Sequence, residues 1–187
     1  MQVRECRFMT VNDGFDSSIQ NWSRRYEWNY VLKELRNSPL IRTVLNAACG
    51  ESEIHGIFAH KLDKILPDKK IYNCDVKQSE VNSKFSNFFV QDITVNDGAE
   101  YDAIVCISTL EDFGSKAAIH GTLLNFLEQA AQRVIVTVDY PSCELAWIEE
   151  FAGQKIPIPV DKLTGSNSTH PQHEHANLSI ILLDIDV

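Results

Sequence analysis

The chain has 187 residues, of which 44% are hydrophobic and 23% are charged. This length and composition favour one globular domain that is large enough to bury a core. The formal net charge of −9 argues against a general nucleic-acid binder, because such proteins carry an excess of basic residues. No uncharged apolar run reaches the roughly 18 residues of a membrane span. The N-terminus lacks the apolar segment of a secretory signal, so we expect a cytoplasmic protein.

The cysteines support the same compartment. They are odd in number and form no CxxC pair, and three of them lie in apolar, strand-like runs where a thiol acts as a small hydrophobe. We therefore expect them to be reduced and structural rather than paired in disulfides. The five are Cys6, Cys49, Cys74, Cys106 and Cys143.

The N-terminal part divides into two segments. Residues 1–16 show no clear periodicity, which favours an arm with weak local order. Residues 17–38 form an N-terminal helical segment, with a helix expected over Ser17 to Arg36 and a stop at Ser38-Pro39. Its aromatic residues indicate an amphipathic helix packed on a sheet, with a lid or a partner surface as alternatives. These aromatic residues are Trp22, Tyr26, Trp28 and Tyr30.

Residues 43–140 alternate between short apolar runs and helical patterns. Strands that are apolar on both faces and are separated by helices are typical of a parallel sheet covered on both sides. The predicted strands are Thr43–Ala48, Lys70–Cys74, Phe88–Val90, Tyr101–Ile107 and Arg133–Val138. The predicted helices are Glu53–Leu66, Lys116–Gln132 and Cys143–Phe151.

The C-terminal part changes character. Residues 155–176 are rich in Pro, Ser, Thr, Asn and His, which indicates a long loop. His170, His173 and His175 are spaced closely enough to bind a metal or, if the loop folds over a pocket, to contact a substrate. No regular element fixes their geometry, so we interpret them as part of a polar loop and assign no metal. The last apolar run, Leu178–Ile185, predicts an antiparallel strand at the edge of the sheet.

Polar or small residues follow four successive strands of this pattern. In a parallel sheet these positions share the carboxyl edge, where ligands bind at the point at which strand order reverses. Small residues let the backbone approach a ligand, and an acidic side chain after the second strand can accept hydrogen bonds from ribose hydroxyls. The four groups are Ala48–Ser52, Asp75, Gln91–Ile93 and Ser108–Asp112.

These segments, in this order, resemble the motif series of the class I S-adenosylmethionine-dependent methyltransferases. A helix of the Ser-Arg-Arg-Tyr-Glu-Trp type before the first strand is similar to one subgroup of that family. The resemblance covers about residues 17 to 140 and implies a Rossmann-like three-layer α/β sandwich, with a mostly parallel sheet. It implies that S-adenosylmethionine is the cofactor. By this resemblance, the methionine and ribose portion would contact Asn46, Ala48, Cys49 and Gly50. Asp75 would bind the ribose hydroxyls, Asp92 and Ile93 would contact the adenine, and Ser108 would face the reacting sulfur.

The glycine-rich motif departs from the family pattern. Asn46 stands at the position of the family's acidic residue, Ala48 at that of its first glycine and Ser52 at that of its third glycine. The resemblance implies methylation of a small molecule or sugar at oxygen or nitrogen. A noncatalytic binding subunit and another S-adenosylmethionine-using enzyme of lyase or decarboxylase type remain alternatives. Candidate bases for the acceptor proton, chosen by their position at the same sheet edge, are Glu111, Asp112, Asp139 and Tyr140.

Overall fold

The computed structural model describes residues 1–9, 22–140, 142–156 and 179–187. In these residues seven strands form one sheet: β1 (Gln2–Met9), β2 (Thr43–Ala47), β3 (Lys70–Asp75), β4 (Phe88–Val90), β5 (Tyr101–Ile107), β6 (Ala130–Tyr140) and β7 (Ser179–Asp186). Their order across the sheet is β1-β7-β6-β5-β2-β3-β4. Strands β2 to β6 are parallel to one another, β7 is antiparallel to β6, and β1 is antiparallel to β7.

The order of the strands reverses between β2 and β5. From β2 the chain adds β3 and then β4 on one side, and β5 and β6 extend the sheet on the other side. The crevice outside the carboxyl ends of β2 and β5 is therefore the switch point of this sheet. The fold thus predicts a ligand site at this edge.

In the described part of the chain, four α-helices cover the two faces of the sheet, which confirms the three-layer α/β architecture. Because successive residues of a strand point to opposite faces, Val105 packs with Trp28 and Leu62, and Cys106 packs with Phe126 on the other side. Two short 3₁₀ helices (Asn82–Lys84 and Leu110–Phe113) follow β3 and β5. The α-helices are α1 (Trp22–Arg36), α2 (Glu53–Ile65), α3 (Lys116–Gln129) and α4 (Leu145–Ala152).

The expectation of a weakly ordered arm is wrong for residues 2–9, which form β1. This strand pairs with β7 from Gln2 to Met9, with an irregular register between Val3 and Glu5. Val3 and Cys6 both pack against the core, although strict alternation would place residues three apart on opposite faces. The irregularity shifts the side-chain parity by one, which explains why the period of two is missing from the sequence.

The antiparallel direction of the C-terminal strand is confirmed. The edge position belongs to β1 instead, because β1 pairs with the outer side of β7. Strand β6 is longer than predicted at both ends. Its first residue, Ala130, pairs with Tyr101 of β5, and its last, Tyr140, pairs with Ser179 of β7. Sheet pairing thus ends α3 at Gln129, three residues earlier than the apolar periodicity suggested.

One buried ion-pair network joins α1 to the sheet near the amino end of β6. Arg133 is 2% exposed and Asp184 is fully buried. The guanidinium of Arg133 donates Nε to Asp184 Oδ1 at 2.8 Å and Nη2 to Glu34 Oε2 at 2.8 Å. The Tyr30 hydroxyl lies 2.6 Å from Asp184 Oδ2 and 2.8 Å from Glu5 Oε2. We call these five residues the arginine network; it connects α1, β1, β6 and β7.

The five cysteines form no disulfide, and four of them are buried. Burial raises the pKa of Cys49 and Cys74 to about 12, so these thiols stay neutral. Among the described residues, no helix has the length and apolar character of a membrane span.

Candidate functional site

A cavity of about 330 Å³ opens at the carboxyl ends of β2, β3, β4 and β5. Its wall includes all eight residues for which the sequence predicted cofactor contacts, and it adds Asp112 from the list of candidate bases. The lining residues are Trp28, Asn46, Ala48, Cys49, Gly50, Phe58, Asp75, Val76, Gln91, Asp92, Ile93, Ile107, Ser108, Thr109, Asp112 and Phe113.

The turn after β2 brings backbone close to the cavity through two left-handed residues. Ala48 has φ +52° and Gly50 has φ +78°. Glycine adopts such angles without cost, whereas alanine pays on the order of 1 kcal/mol, so the replacement of glycine at position 48 leaves local strain. The amide of Cys49 donates to the Cys74 carbonyl at 2.8 Å, which ties the turn to the end of β3.

Asp75 connects this turn to the end of β3 through its side chain. Its Oδ2 accepts a hydrogen bond from the Gly50 amide at 2.8 Å, and its Oδ1 has a longer contact of 3.4 Å with the Lys77 amide. The carboxylate is partly exposed at the cavity wall. It is therefore positioned to accept hydrogen bonds from a ligand while it orders the glycine turn.

Asn46 is a buried amide at the base of the cavity. Its Nδ2 donates to Asn73 Oδ1 at 2.8 Å, and Asn73 Nδ2 donates in turn to the Ser86 carbonyl at 2.7 Å. A buried amide is stable only when its polar atoms find such partners. The polar character of position 46 is therefore built into a chain of side-chain bonds across β2 and β3.

The segment after β4 contributes a polar rim and an apolar wall. Asp92 Oδ1 accepts from the Thr94 amide at 2.9 Å and from the Thr94 hydroxyl at 2.7 Å. These bonds hold the pKa of Asp92 below its ordinary value, so the carboxylate is ionised. Ile93 is buried beside it, and Gln91 has a buried Oε1 without a hydrogen-bond partner in the described residues. Such an orphaned acceptor at a cavity wall is suited to a ligand donor.

Ser108, at the end of β5, is a wall residue with a strained backbone. It has φ +46°, an angle that L-residues rarely adopt, and its amide donates to the Thr137 carbonyl at 2.9 Å. Its hydroxyl makes a short hydrogen bond with Glu27 Oε1 and lies 3.3 Å from Asp139 Oδ1. Strained residues of this kind persist where the surrounding structure over-determines them.

Three acidic side chains meet behind Ser108, and we call Glu27, Glu111 and Asp139 the carboxylate cluster. Glu27 is fully buried and also accepts from the Thr137 hydroxyl at 2.6 Å. Glu111 Oε1 accepts from the Asp139 amide at 3.2 Å, while its buried Oε2 has no hydrogen-bond partner in the described residues. Burial, with the charges of Asp139 and Glu27, raises the pKa of Glu111 to about 8.

The four predicted bases occupy different depths. Asp112 is on the cavity wall, Asp139 contacts the wall residue Ser108, and Glu111 lies behind Asp139. Tyr140 is not among the lining residues in the described part of the chain.

The sequence reasoning missed Glu27, although a signal was available. Glu27 is buried at helical spacing with Val31 and Leu35, so a charged residue falls on the apolar face of α1. A buried carboxylate in that position requires polar partners, and these come from β5 and β6.

Helix α1 packs on the sheet, as the amphipathic interpretation predicted. Trp28 is 2% exposed, and its ring stacks on Phe58 of α2 with centroids 5.3 Å apart. Both rings line the cavity. The side chains of Trp22 and Tyr26 and the loop with His170, His173 and His175 lie outside the described residues. Their roles therefore stay predictions.

No protein-family model and no curated protein matches the chain. Solved structures do. Magnesium protoporphyrin IX methyltransferase from Synechocystis PCC 6803 with bound S-adenosylmethionine is 16% identical, with a TM-score of 0.59 over 94% of this chain and 86% of that chain. A TehB-like S-adenosylmethionine-dependent methyltransferase from Corynebacterium glutamicum is 14% identical, with a TM-score of 0.52 over 82% and 85%.

An S-adenosylmethionine-dependent methyltransferase from Clostridium acetobutylicum is 18% identical, with a TM-score of 0.47 over 60% of this chain. The matched part is 49% of that protein, so this chain spans about half its length. Together with the strand order, the longer matches show that the chain has the Rossmann-like fold of the class I methyltransferases.

Proposed function

We propose that the chain is an S-adenosylmethionine-dependent methyltransferase that acts on a small molecule. One observation carries the proposal: the eight residues assigned to the cofactor from sequence motifs all line one cavity at the switch point of the sheet. They come from the ends of β2, β3, β4 and β5, separated by up to 62 residues of sequence (Asn46 to Ser108). An arrangement of separate strand ends around one cavity is what a nucleotide-like ligand requires.

The chemistry of the wall fits each part of this cofactor. Asp75 offers a carboxylate to the ribose hydroxyls, and Asp92 offers one to the adenine amino group beside the apolar Ile93. Ala48 and Gly50 form the close backbone turn, and a Cβ at position 48 adds only one methyl group. The cavity volume lies at the lower end of the range for small-molecule sites.

When bound, the cofactor supplies an electrophilic methyl group on a sulfonium. The protein's task in such a displacement is to align the acceptor atom with the methyl group and to exclude water. Trp28 and Phe58 provide apolar wall, and the strained Ser108 presents its side chain at the end of β5. An acceptor that must lose a proton has Asp112 on the wall and Asp139 behind Ser108 as bases.

The acidic balance of the chain supports a small acceptor, which includes a sugar. Methylation at oxygen or at nitrogen is compatible with the bases on the wall. We expect acceptor specificity in the N-terminal helix and in residues 155–174, which the sequence assigns to a loop.

Calorimetric titration with S-adenosylmethionine and with S-adenosylhomocysteine tests the proposal. We expect both to bind, and we expect Asp75→Ala to weaken binding by about tenfold or more, since a hydrogen bond to a charged group is lost. Asp75→Asn keeps an acceptor for the Gly50 amide and separates the loss of charge from disorder of the turn.

Asp68→Ala is the matched control because Asp68 precedes β3 and lies at its opposite end, with its side chain largely exposed. It should bind like the wild type. Failure of both ligands to bind at millimolar concentration would contradict the proposal and favour a noncatalytic subunit. Binding without methyl transfer to any of a panel of sugars, amines and phenols would favour a lyase or decarboxylase.

A further inference from the structure

The carboxylate cluster meets the cavity at one residue, Ser108. The Ser108 hydroxyl makes a short bond to Glu27 Oε1 and lies 3.3 Å from Asp139 Oδ1. Since Ser108 also lines the cavity, a ligand group at this point is separated from two carboxylates by a single hydroxyl. Charges in a partly buried environment interact several-fold more strongly than in water, so a ligand charge at Ser108 is coupled to the cluster.

The groups that face Glu111 come from three sides. Glu27 is on α1, Asp139 is at the end of β6, Cys106 is on β5, and Cys143 follows β6. Burial raises the pKa of both thiols, and that of Cys143 reaches about 11, so the cysteines are neutral and the carboxylates dominate the field. The Glu111 Oε2 atom is completely buried and has no hydrogen-bond partner in the described residues.

We propose that the carboxylate cluster makes the cavity selective for a cationic group next to Ser108. Under the proposed function, on which this inference rests, that group is the positively charged sulfonium of the methyl donor. After methyl transfer the sulfur is a neutral thioether and loses this attraction. The cluster therefore favours the methyl donor over its demethylated product and assists product release.

The selectivity depends on pH because Glu111 changes charge near neutrality. Below about pH 8 Glu111 holds a proton, and above it the cluster carries a further negative charge. A bound cation favours the ionised form, so binding lowers the Glu111 pKa and releases a proton. The affinity for the cationic ligand relative to the neutral one rises with pH and levels off above the pKa of the free protein.

The experiment compares S-adenosylmethionine with S-adenosylhomocysteine by calorimetry at about pH 6.5 and about pH 9. If binding lowers the Glu111 pKa by one unit, the preference for S-adenosylmethionine increases by about sevenfold over this range. Glu111→Gln keeps an oxygen for the Asp139 amide and should remove this increase. The wild type and Glu111→Gln are titrated with the same ligands, so the effect of the ligands' own amino groups on the pH dependence is the same for both proteins and cancels.

Glu27→Gln keeps an acceptor for the Ser108 and Thr137 hydroxyls and should lower the preference for S-adenosylmethionine at both pH values. Glu100→Gln is the control, since Glu100 is exposed and precedes β5 at its opposite end; it should follow the wild type. Thermal unfolding verifies that each variant is folded, and a misfolded Glu111→Gln is replaced by Asp139→Asn, which should lower the preference for S-adenosylmethionine at about pH 9.

The outcomes separate this inference from the function. If both ligands bind and the pH dependence is the same in wild type and Glu111→Gln, the charge selectivity is wrong and the proposed function stands. If neither ligand binds, the proposed function fails, and the inference fails with it.

Discussion

Two glutamates of helix α1, Glu27 and Glu34, lie seven residues apart and contact opposite ends of β6. Glu34 bonds to Arg133 at the start of β6, in the arginine network. Glu27 bonds to Thr137 and Ser108 near the carboxyl end of the sheet, in the carboxylate cluster. Two turns of one helix therefore place the same residue type in two opposite electrostatic settings.

The two settings separate buried polar groups that stabilise the fold from buried polar groups that act on the cavity. In the arginine network a cation is matched by Asp184 and Glu34, and its bonds join four elements far from the cavity. In the carboxylate cluster three acids lie together, and burial, with the charges of Asp139 and Glu27, raises the pKa of Glu111. Like charges in a buried site reduce stability, and perturbed acids of this kind concentrate at functional sites.

The largest effect is expected from breaking the arginine network. Asp184→Ala leaves Arg133 with only part of its counter-charge in a buried position, so we expect a loss of about 3 kcal/mol in the free energy of unfolding, measured by urea denaturation. The double variant Arg133→Met with Asp184→Leu replaces the pair by apolar groups and should recover most of the loss. A change below about 1 kcal/mol in Asp184→Ala would mean that the network does not stabilise the fold.

An opposite effect is expected in the carboxylate cluster, and it depends on pH. The Glu111 pKa is about 8 in the folded protein against an ordinary value of 4.5, so the unfolded chain loses its proton first as pH rises. The folded state is therefore destabilised progressively between about pH 4.5 and pH 8. Glu111→Gln removes this penalty and should raise the free energy of unfolding by on the order of 3 kcal/mol more at pH 8 than at pH 5.

Urea titrations of the wild type and Glu111→Gln at the two pH values measure this difference, with Glu100→Gln as the control for a general charge effect. An equal change at both pH values would show that the cluster does not hold a proton on Glu111.

The smallest effect on stability is expected at the strained turn after β2, which lines the cavity. Ala48→Gly relieves a left-handed alanine but adds freedom to the unfolded chain, so we expect a gain of about 0.5 kcal/mol. The neighbouring Ala47→Gly, in a buried strand, should instead lose about 1 kcal/mol. Thermal unfolding of both variants measures the contrast, and a loss in both would mean that position 48 is not strained.

The parallel part of the fold was predictable because its strands are apolar on both faces and their ends are marked by short polar connections. Asp75 and Ser108 were predicted to lie near one another because each follows a strand, and parallel strands end at the same edge. Their positions on the cavity wall follow from that rule, whereas their contacts with a ligand stay predictions.

The parts that were not predictable depend on contacts distant in sequence. A shifted register in β1 hides its alternation, and its pairing partner β7 lies about 180 residues away. Glu27 interacts with Ser108, 81 residues later, and with Thr137, 110 residues later. No local sequence pattern shows that Glu34 pairs with a cation whereas Glu27 accepts hydrogen bonds from hydroxyls.

Periodicity and strand-end residues are enough to predict the layers, the direction of the central strands and the sheet edge at which the cavity opens. Contacts distant in sequence add β1 to the sheet, hold Ser108 and Ala48 in left-handed conformations, and bring Glu27 to Glu111 and Asp139 behind the cavity. A hydrophobic pattern can be recognised within a short stretch of sequence. The protonation and the strain of a buried residue depend instead on which distant groups the fold places against it.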